Sequence, residues 1–323
     1  MQLKKLYYRL PDGEACYVCT PSDTGLSQFV VHPFELTDSS LTQAVDTSRF
    51  RLRKRSFVAH DRRLTSNSGH EQAVATAVQH IQNSALEKVV LHQQLTIDEV
   101  IDAQKSFEAA CETYPSAFVY LLECTDGTSW IGASPETLAA WDGSHFVTMS
   151  LAGTRVAGSN TAWTDKEYRE QQTVTDAIVA RLGQAVSDAA VTVGEVNTIT
   201  AGSLEHLHTE VRMAVTDREL ALALAQSLHP TPAVCGQPRH LAQEQIAQLE
   251  DKPRELYTGY LGFVNKDSFR LFVNLRCAKI EASQTTIYVG GGINALSDPT
   301  AEVQETLNKA QTMSRILHPF GTE

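Results

Sequence analysis

Glu302, Glu305 and Lys309 follow one another at spacings of three and four. On a helix that spacing sets them in one stripe, beside Val303, Leu307 and Ala310. An exposed row of ion pairs has the same pattern, so the stripe alone leaves two readings open. Glu170 stands four residues before Val174, on the side of a helix marked by Val174, Ala177, Ile178, Leu182 and Ala185. A carboxylate facing inward must be paired, protonated or metal-bound, unless it sits in a wet first turn. Magnesium takes oxygen ligands and keeps several waters. One carboxylate from each of two helices, Glu170 and Glu305, would therefore serve it.

Lys88 opens the apolar run Val89-Val90-Leu91. It is either a charge at a strand edge or a general base, the latter requiring burial or nearby cations. Glu136, in the turn Ser134-Pro135-Glu136, is either a surface turn residue or an acid kept protonated by burial. Arg276 lies within Val273-Asn274-Leu275-Arg276-Cys277-Ala278, which reads as the middle of a buried strand. It would need an internal carboxylate or a substrate carboxylate as partner. Gly290-Gly291-Gly292 follows a strand and precedes the last helix, where bare backbone could approach an anion. No Gly-Lys-Ser/Thr follows, so this is no nucleotide-binding P-loop. His206 and His208 would share one face of a strand. A third zinc ligand is not evident, and His206 reads better as a polar substrate contact.

These residues need elements to hold them. Thr164-Asp165-Lys166-Glu167 is a capping box and predicts a helix from there to about residue 186. Ser297 or Asp298 would cap a last helix, with Pro299 in its first turn. Other helices are expected over 70–83 and from Asp217 to before Pro230. Strands are expected over 88–95, 117–123, 129–141 (interrupted by the turn Ser134-Pro135-Glu136), 192–199, 204–213, 258–265, 269–280 and 285–289, with short strands and turns in 1–60. The strands neighbour one another rather than alternating with helices, which predicts an α+β fold with large antiparallel sheets.

The chain has 323 residues, 42% apolar and 20% charged, which excludes disordered and fibrous classes. Net charge is −11. The basic run Arg51-Leu52-Arg53-Lys54-Arg55 is too short to outweigh that, so no nucleic-acid partner is expected. An anionic substrate would need a local cationic device, such as a metal or placed Arg and Lys. The N-terminus lacks a signal-peptide run, and no stretch nears the about 20 apolar residues of a membrane span. A cytoplasmic protein is expected. Of the six cysteines only Cys16 and Cys19 have metal-like spacing, and without a second close pair all are read as reduced, structural thiols.

Taken together the segments resemble the chorismate-utilising enzymes. The motifs are Lys88-Val89-Val90-Leu91, Gly132-Ala133-Ser134-Pro135-Glu136-Thr137-Leu138, Leu151-Ala152-Gly153-Thr154-Arg155, His229-Pro230-Thr231-Pro232-Ala233-Val234-Cys235-Gly236, Arg254-Glu255-Leu256-Tyr257-Thr258-Gly259, and Gly290 through Lys309. They stand in the group's order across residues 85–315, while residues 1–60 match no motif. The resemblance implies one catalytic domain over 1–323, with a two-layered antiparallel core flanked by helices.

Within the group, a lysine at Lys88 marks members that add water, as isochorismate synthases do. Aminodeoxychorismate synthases carry a nucleophilic lysine where this chain has Ala152. The resemblance therefore implies magnesium-dependent isomerisation of chorismate to isochorismate, feeding menaquinone, siderophore or salicylate biosynthesis. Lys88 would be the base and Glu136 the acid. Glu170 and Glu305 would hold magnesium, with Glu302 acting through water. Tyr257, Arg276, Lys309 and the backbone of Gly290 and Gly292 would hold the substrate's carboxylates, and Gly153, Thr154 and His206 would line the ring. The rivals are a salicylate synthase, an amine-adding enzyme and a non-catalytic chorismate-binding homologue. No glutaminase segment is present, no obligatory glutaminase subunit is expected, and a monomer is. The chain departs from the group's usual pattern at His92-Gln93 in place of Ser-Arg, at Gln171 in place of His or Asn, and at Gly291 in place of Ala.

Overall fold

The computed structural model describes residues 1–35, 40–52, 57–159, 161–186, 191–202 and 204–321. The basic run's Arg53, Lys54 and Arg55 lie outside them. Strands β1 (Leu3–Arg9), β2 (Cys16–Pro21), β3 (Ser27–His32) and β4 (Leu41–Phe50) come first. Helix α1 (His70–Gln82), β5 (Lys88–Ile97) and α2 (Ala103–Thr113) follow, then β6 (Phe118–Cys124), β7 (Ser129–Ser134), β8 (Thr137–Trp141) and β9 (His145–Val156). Helix α3 (Asp165–Ala185) leads to β10 (Thr192–Val193), β11 (Asn197–Ala201) and β12 (Leu204–Ala214). After α4 (Arg218–Leu228), β13 (Gly236–Gln237) and α5 (Arg239–Leu249) come β14 (Tyr260–Val264), β15 (Phe269–Val273), β16 (Cys277–Ile280), β17 (Thr285–Asn294) and α6 (Pro299–Ser314).

The strands form one antiparallel ladder. Its order is β13-β5-β17-β16-β7-β6-β1-β2-β4-β3-β14-β15-β8-β9-β12, with β10 and β11 end to end on the far edge of β12. The ladder folds back on itself. Phe118 of β6 stacks on Phe272 of β15 with ring centroids 4.1 Å apart, and Tyr8 of β1 meets Phe263 of β14 at 4.4 Å. Two layers thus face each other across an aromatic core. Strand β6 is buried along nearly its whole length because Phe118, Tyr120 and Leu122 face that core while Val119 and Leu121 face helices. The N-terminal strands are integral: β1 continues one arm from β6, and β3 joins the other through β14.

Helices cover the outer faces. Helices α2 and α6 pack on β5, β6, β7, β16 and β17, and α1 and α5 cover the rest of β5. Helices α3 and α4 cover β8, β9, β12, β14 and β15. The capping box of α3 is present as expected: the Thr164 amide donates to Glu167 Oε2 at 2.8 Å, and Thr164 Oγ1 accepts from the Lys166 amide. Asp298 caps α6 by accepting from the Ala301 amide at 2.8 Å.

Five expectations need correction. The segment 269–280 is two strands rather than one, with Arg276 in the break between them at φ +48°, and 192–199 likewise divides into β10 and β11. The stretch Gly290–Gly292 is not a turn after a strand; it lies inside β17, paired with Leu91 and its neighbours on β5. Helices α2 and α5 and strand β9 were not expected at all. On α6 the most buried line is Glu302, Thr306, Ala310 and Met313, with Val303 and Leu307 only half-buried, because the helix turns a partly polar side to the site.

Candidate active site

The residues singled out for chemistry come from distant parts of the chain, and all but His208 line one cavity of about 190 Å³. Strand β5 supplies Lys88, the β7–β8 turn Glu136, β9 Gly153 and Thr154, and β12 His206. The segment before β14 gives Tyr257 and the β15–β16 break gives Arg276. Strand β17 gives Gly290 and Gly292, α3 gives Glu170, and α6 gives Glu302, Glu305 and Lys309. His208 is on β12 two residues from His206 but does not line the cavity.

Glu136 is buried, with 3% of its surface exposed. Burial pushes its carboxyl up to about 8, against the opposing pull of the Lys88 charge and the Thr231 hydroxyl. A carboxyl held neutral near pH 7 can donate a proton. Lys88 donates to Glu170 Oε1 at 2.7 Å. The Lys88 charge holds the Glu170 carboxyl below its ordinary range, burial opposing.

The cavity's other wall is built on a histidine. His206 Nδ1 lies 2.9 Å from the Gly153 carbonyl and 3.3 Å from Thr154 Oγ1, and its Nε2 lies 2.7 Å from an Arg276 guanidinium nitrogen. A guanidinium can only donate, so Nε2 accepts and Nδ1 carries the hydrogen toward Gly153. Burial and then the Arg276 charge push His206 down to about 3, so the ring is neutral. Burial likewise lowers the Arg276 guanidinium to about 10, still charged at neutral pH. The positive φ at Arg276 breaks the strand and turns this side chain to the cavity.

The glycines of β17 leave room. A Cβ at Gly292 would stand 2.8 Å from Lys88 Cε and 3.2 Å from its Nζ, and one at Gly290 would stand 2.9 Å from the Tyr257 hydroxyl. Bare backbone there is what lets both functional groups reach the cavity.

The three carboxylates expected around a metal do not converge. Among the described residues no group of three or more acidic, His or Cys side chains stands ready as a metal cage. Glu170 is held by Lys88, Glu305 by Lys309 at 2.7 Å, and Glu302 accepts from Ser297 Oγ at 2.6 Å. Like charges separate and each finds a nearer cation or hydroxyl. Their chemistry still suits a hard divalent ion. All are oxygen donors on one cavity, and burial with the Glu305 charge raises the Glu302 carboxyl, which a cation would reverse.

The cavity also carries Lys166 and Glu167, which their sequence marks only as part of a capping box. A signal existed: Lys166 is four residues before Glu170, hence on the same helix face. Lys166 adds to the positive field that lowers Glu170. All six cysteines are free and buried. No helix of the described residues is long and apolar enough to cross a membrane.

Comparison with known proteins gives this arrangement relatives. The family described as "Chorismate binding enzyme" matches residues 20–318. Isochorismate synthase EntC of Escherichia coli (strain K12) is 34% identical over 264 residues, covering 78% of this chain and 66% of that protein. Isochorismate synthase DhbC of Bacillus subtilis (strain 168) is 30% identical over 270 residues, 77% of this chain and 67% of that protein. The chain thus spans about two thirds of the length of these curated relatives. A crystal structure of a "putative 2,3-dihydroxybenzoate-specific isochorismate synthase, DhbC from Bacillus anthracis" superposes with a TM-score of 0.81. At 24% identity over 96% of this chain and 95% of that one, it shows the shared fold.

Proposed function

The chain belongs to the chorismate-binding enzyme family, and from that premise we propose that it converts chorismate to isochorismate with magnesium as cofactor. The observation that carries the reading is that Lys88 and Glu136 line one cavity, a lysine together with an acid that burial keeps neutral. Water is a weak nucleophile and gains from a base that takes its proton, whereas neutral ammonia is nucleophilic enough to attack without one. Ala152, also on this cavity, offers no nucleophile.

In the proposed reaction Lys88, acting as the neutral amine once it has given up its hydrogen bond to Glu170, takes a proton from the water whose oxygen bonds to ring carbon 2. The ring double bonds shift, the bond from carbon 4 to its hydroxyl breaks, and Glu136 protonates the departing hydroxyl so that it leaves as water. One water enters and one leaves, so the product is an isomer. Arg276, Lys309, Tyr257 and the backbone of Gly290 and Gly292 are the groups for the two carboxylates. Gly153, Thr154 and neutral His206 line the ring. Glu170 and Glu305, with Glu302 beside them, would hold magnesium, which when bound would supply charge neutralisation at the ring carboxylate.

Purified protein incubated with chorismate and magnesium should yield isochorismate, identified by chromatography and mass. Chelation should stop turnover and added magnesium restore it. Lys88→Ala should lower kcat by about 10²-fold or more while chorismate still binds. Salicylate with pyruvate, an ammonia-dependent amino product, or binding without turnover would each replace this reading with a rival. An Lys88→Ala variant of full activity would remove the base from the scheme.

A further inference from the structure

Gln93, one of the positions where the chain leaves its group's usual pattern, lies on β5 beneath α6. Its side chain is almost fully buried, with 2% exposed. Nε2 donates to Thr306 Oγ1 at 2.7 Å. Oε1 accepts from Ser66 Oγ at 2.7 Å and from the Asn67 amide at 3.1 Å. One amide thus joins the middle of α6 to the irregular segment 60–67.

That segment also grips the far end of the helix. Arg62 donates to the carbonyls of Ser314 at 2.7 Å and Leu317 at 2.9 Å, and Gln311 Nε2 donates to the Arg62 carbonyl at 2.8 Å. The His60 amide donates to the Arg315 carbonyl, and Arg315 pairs with Asp61 at 2.8 Å. Segment 60–67 therefore runs as a strap along α6 from its C-terminal end to its middle, and Gln93 fastens it there.

The contact beneath that point is a threonine methyl over a glycine. Thr306 is buried, and a Cβ at the facing Gly291 would stand 3.3 Å from Thr306 Cγ2. Close apolar packing over a glycine resists sliding weakly, because it is non-directional. A buried hydrogen bond is directional, and leaving it unmade is costly. Thr306 directly follows Glu305 and lies one turn after Glu302.

We propose that Gln93 is a positioning residue: with the strap 60–67 it sets the placement of α6, and so where Glu302 and Glu305 meet the metal and Lys309 meets the substrate. The inference rests on the metal role assigned above to these carboxylates. Neither Leu nor Arg at this position could donate to Thr306 and accept from the strap at once.

The test is divalent-ion binding without substrate, read as the free Mn²⁺ signal in electron paramagnetic resonance, alongside the magnesium dependence of turnover. Gln93→Leu and the near-isosteric Thr306→Val should each weaken Mn²⁺ binding and raise half-saturating magnesium about tenfold, the scale of outer-shell substitutions at metal sites. Saturating magnesium should restore most of kcat, Thr306→Ser should behave as wild type, and the double variant should be no worse than either single one. If the buried variants fail to fold, Ser66→Ala, which removes one strap contact, should give a smaller shift of the same sign. Variants less stable to heat but with wild-type Mn²⁺ affinity would overturn the positioning role. A wild-type protein that neither binds Mn²⁺ nor turns over chorismate would overturn the functional reading instead, so the two failures are distinct.

Discussion

Glu136 has its charge decided by its surroundings. Its folded value of about 8 lies above the ordinary 4.5 because burial disfavours the anion. The folded protein therefore holds a proton that the unfolded chain releases between those values. Stability from the neutral buried acid is complete below the lower value and is lost as pH rises through the upper one. Glu136→Gln has nothing to titrate, so its Tm should fall less than the wild type's between about pH 5 and about pH 9. In its proposed role as the acid Glu136 must be protonated, so wild-type kcat/KM should decline above about pH 8. Gly292 gives a second residue-scale prediction. In Gly292→Ala the new methyl would stand 2.8 Å from Lys88 Cε, and the flexible lysine would have to move. Activity should fall on the order of 10²-fold with Tm almost unchanged, since misplacing a reacting group by an ångström costs about that much.

Helix α3 shows how an element carries its site. Its capping box orients the first turns, and those turns bring Lys166, Glu167 and Glu170 to the cavity. Thr164→Ala should cost about 1 kcal/mol, measured as a lower urea midpoint at unchanged m. The two site helices were legible because caps are local: Thr164 and Asp298 bond to amides within three residues. Helix α2 was legible in principle, with Asp102 as cap and Phe107, Ala110 and Cys111 buried on one face. Helix α5 was less so. It starts at Pro238 with no side-chain cap and buries Gln245 beside Ala242 and Ile246, so its periodicity is faint. Strand β9 alternates half-buried and buried residues only from His145 to Ser150; Ser150 to Gly153 are buried in a row, and the glycine and hydroxyl residues further masked the pattern.

Across the whole molecule the site depends on two layers staying in register. Lys88 and Gly292 come from the first arm of the ladder, and Thr154 and His206 from the far end of the second. The stack of Phe118 on Phe272 ties the arms together where the site strands cannot, and both rings are fully buried. Phe118→Ala and Phe272→Ala should each cost about 3–5 kcal/mol in denaturant unfolding. Because the rings touch, the double variant should cost less than the sum.

Motif order alone identified which residues to watch, and local chemistry alone placed α3 and α6, since caps and helical spacing act over three or four residues. The α+β class also followed from the chain, because paired strands without alternating helices leave few other ways to bury their faces. Tertiary structure decided the rest. Pairing with β5 made Gly290–Gly292 a strand, although glycine by itself favours a turn. The break at Arg276 arose where β15 gives way to β16, and it turned a supposed mid-strand side chain onto His206. The three acidic residues, alike in sequence, separated onto Lys88, Lys309 and Ser297. Charge, burial and hydrogen-bond partners belong to neighbours distant in the chain, and only the folded ladder brings those neighbours together.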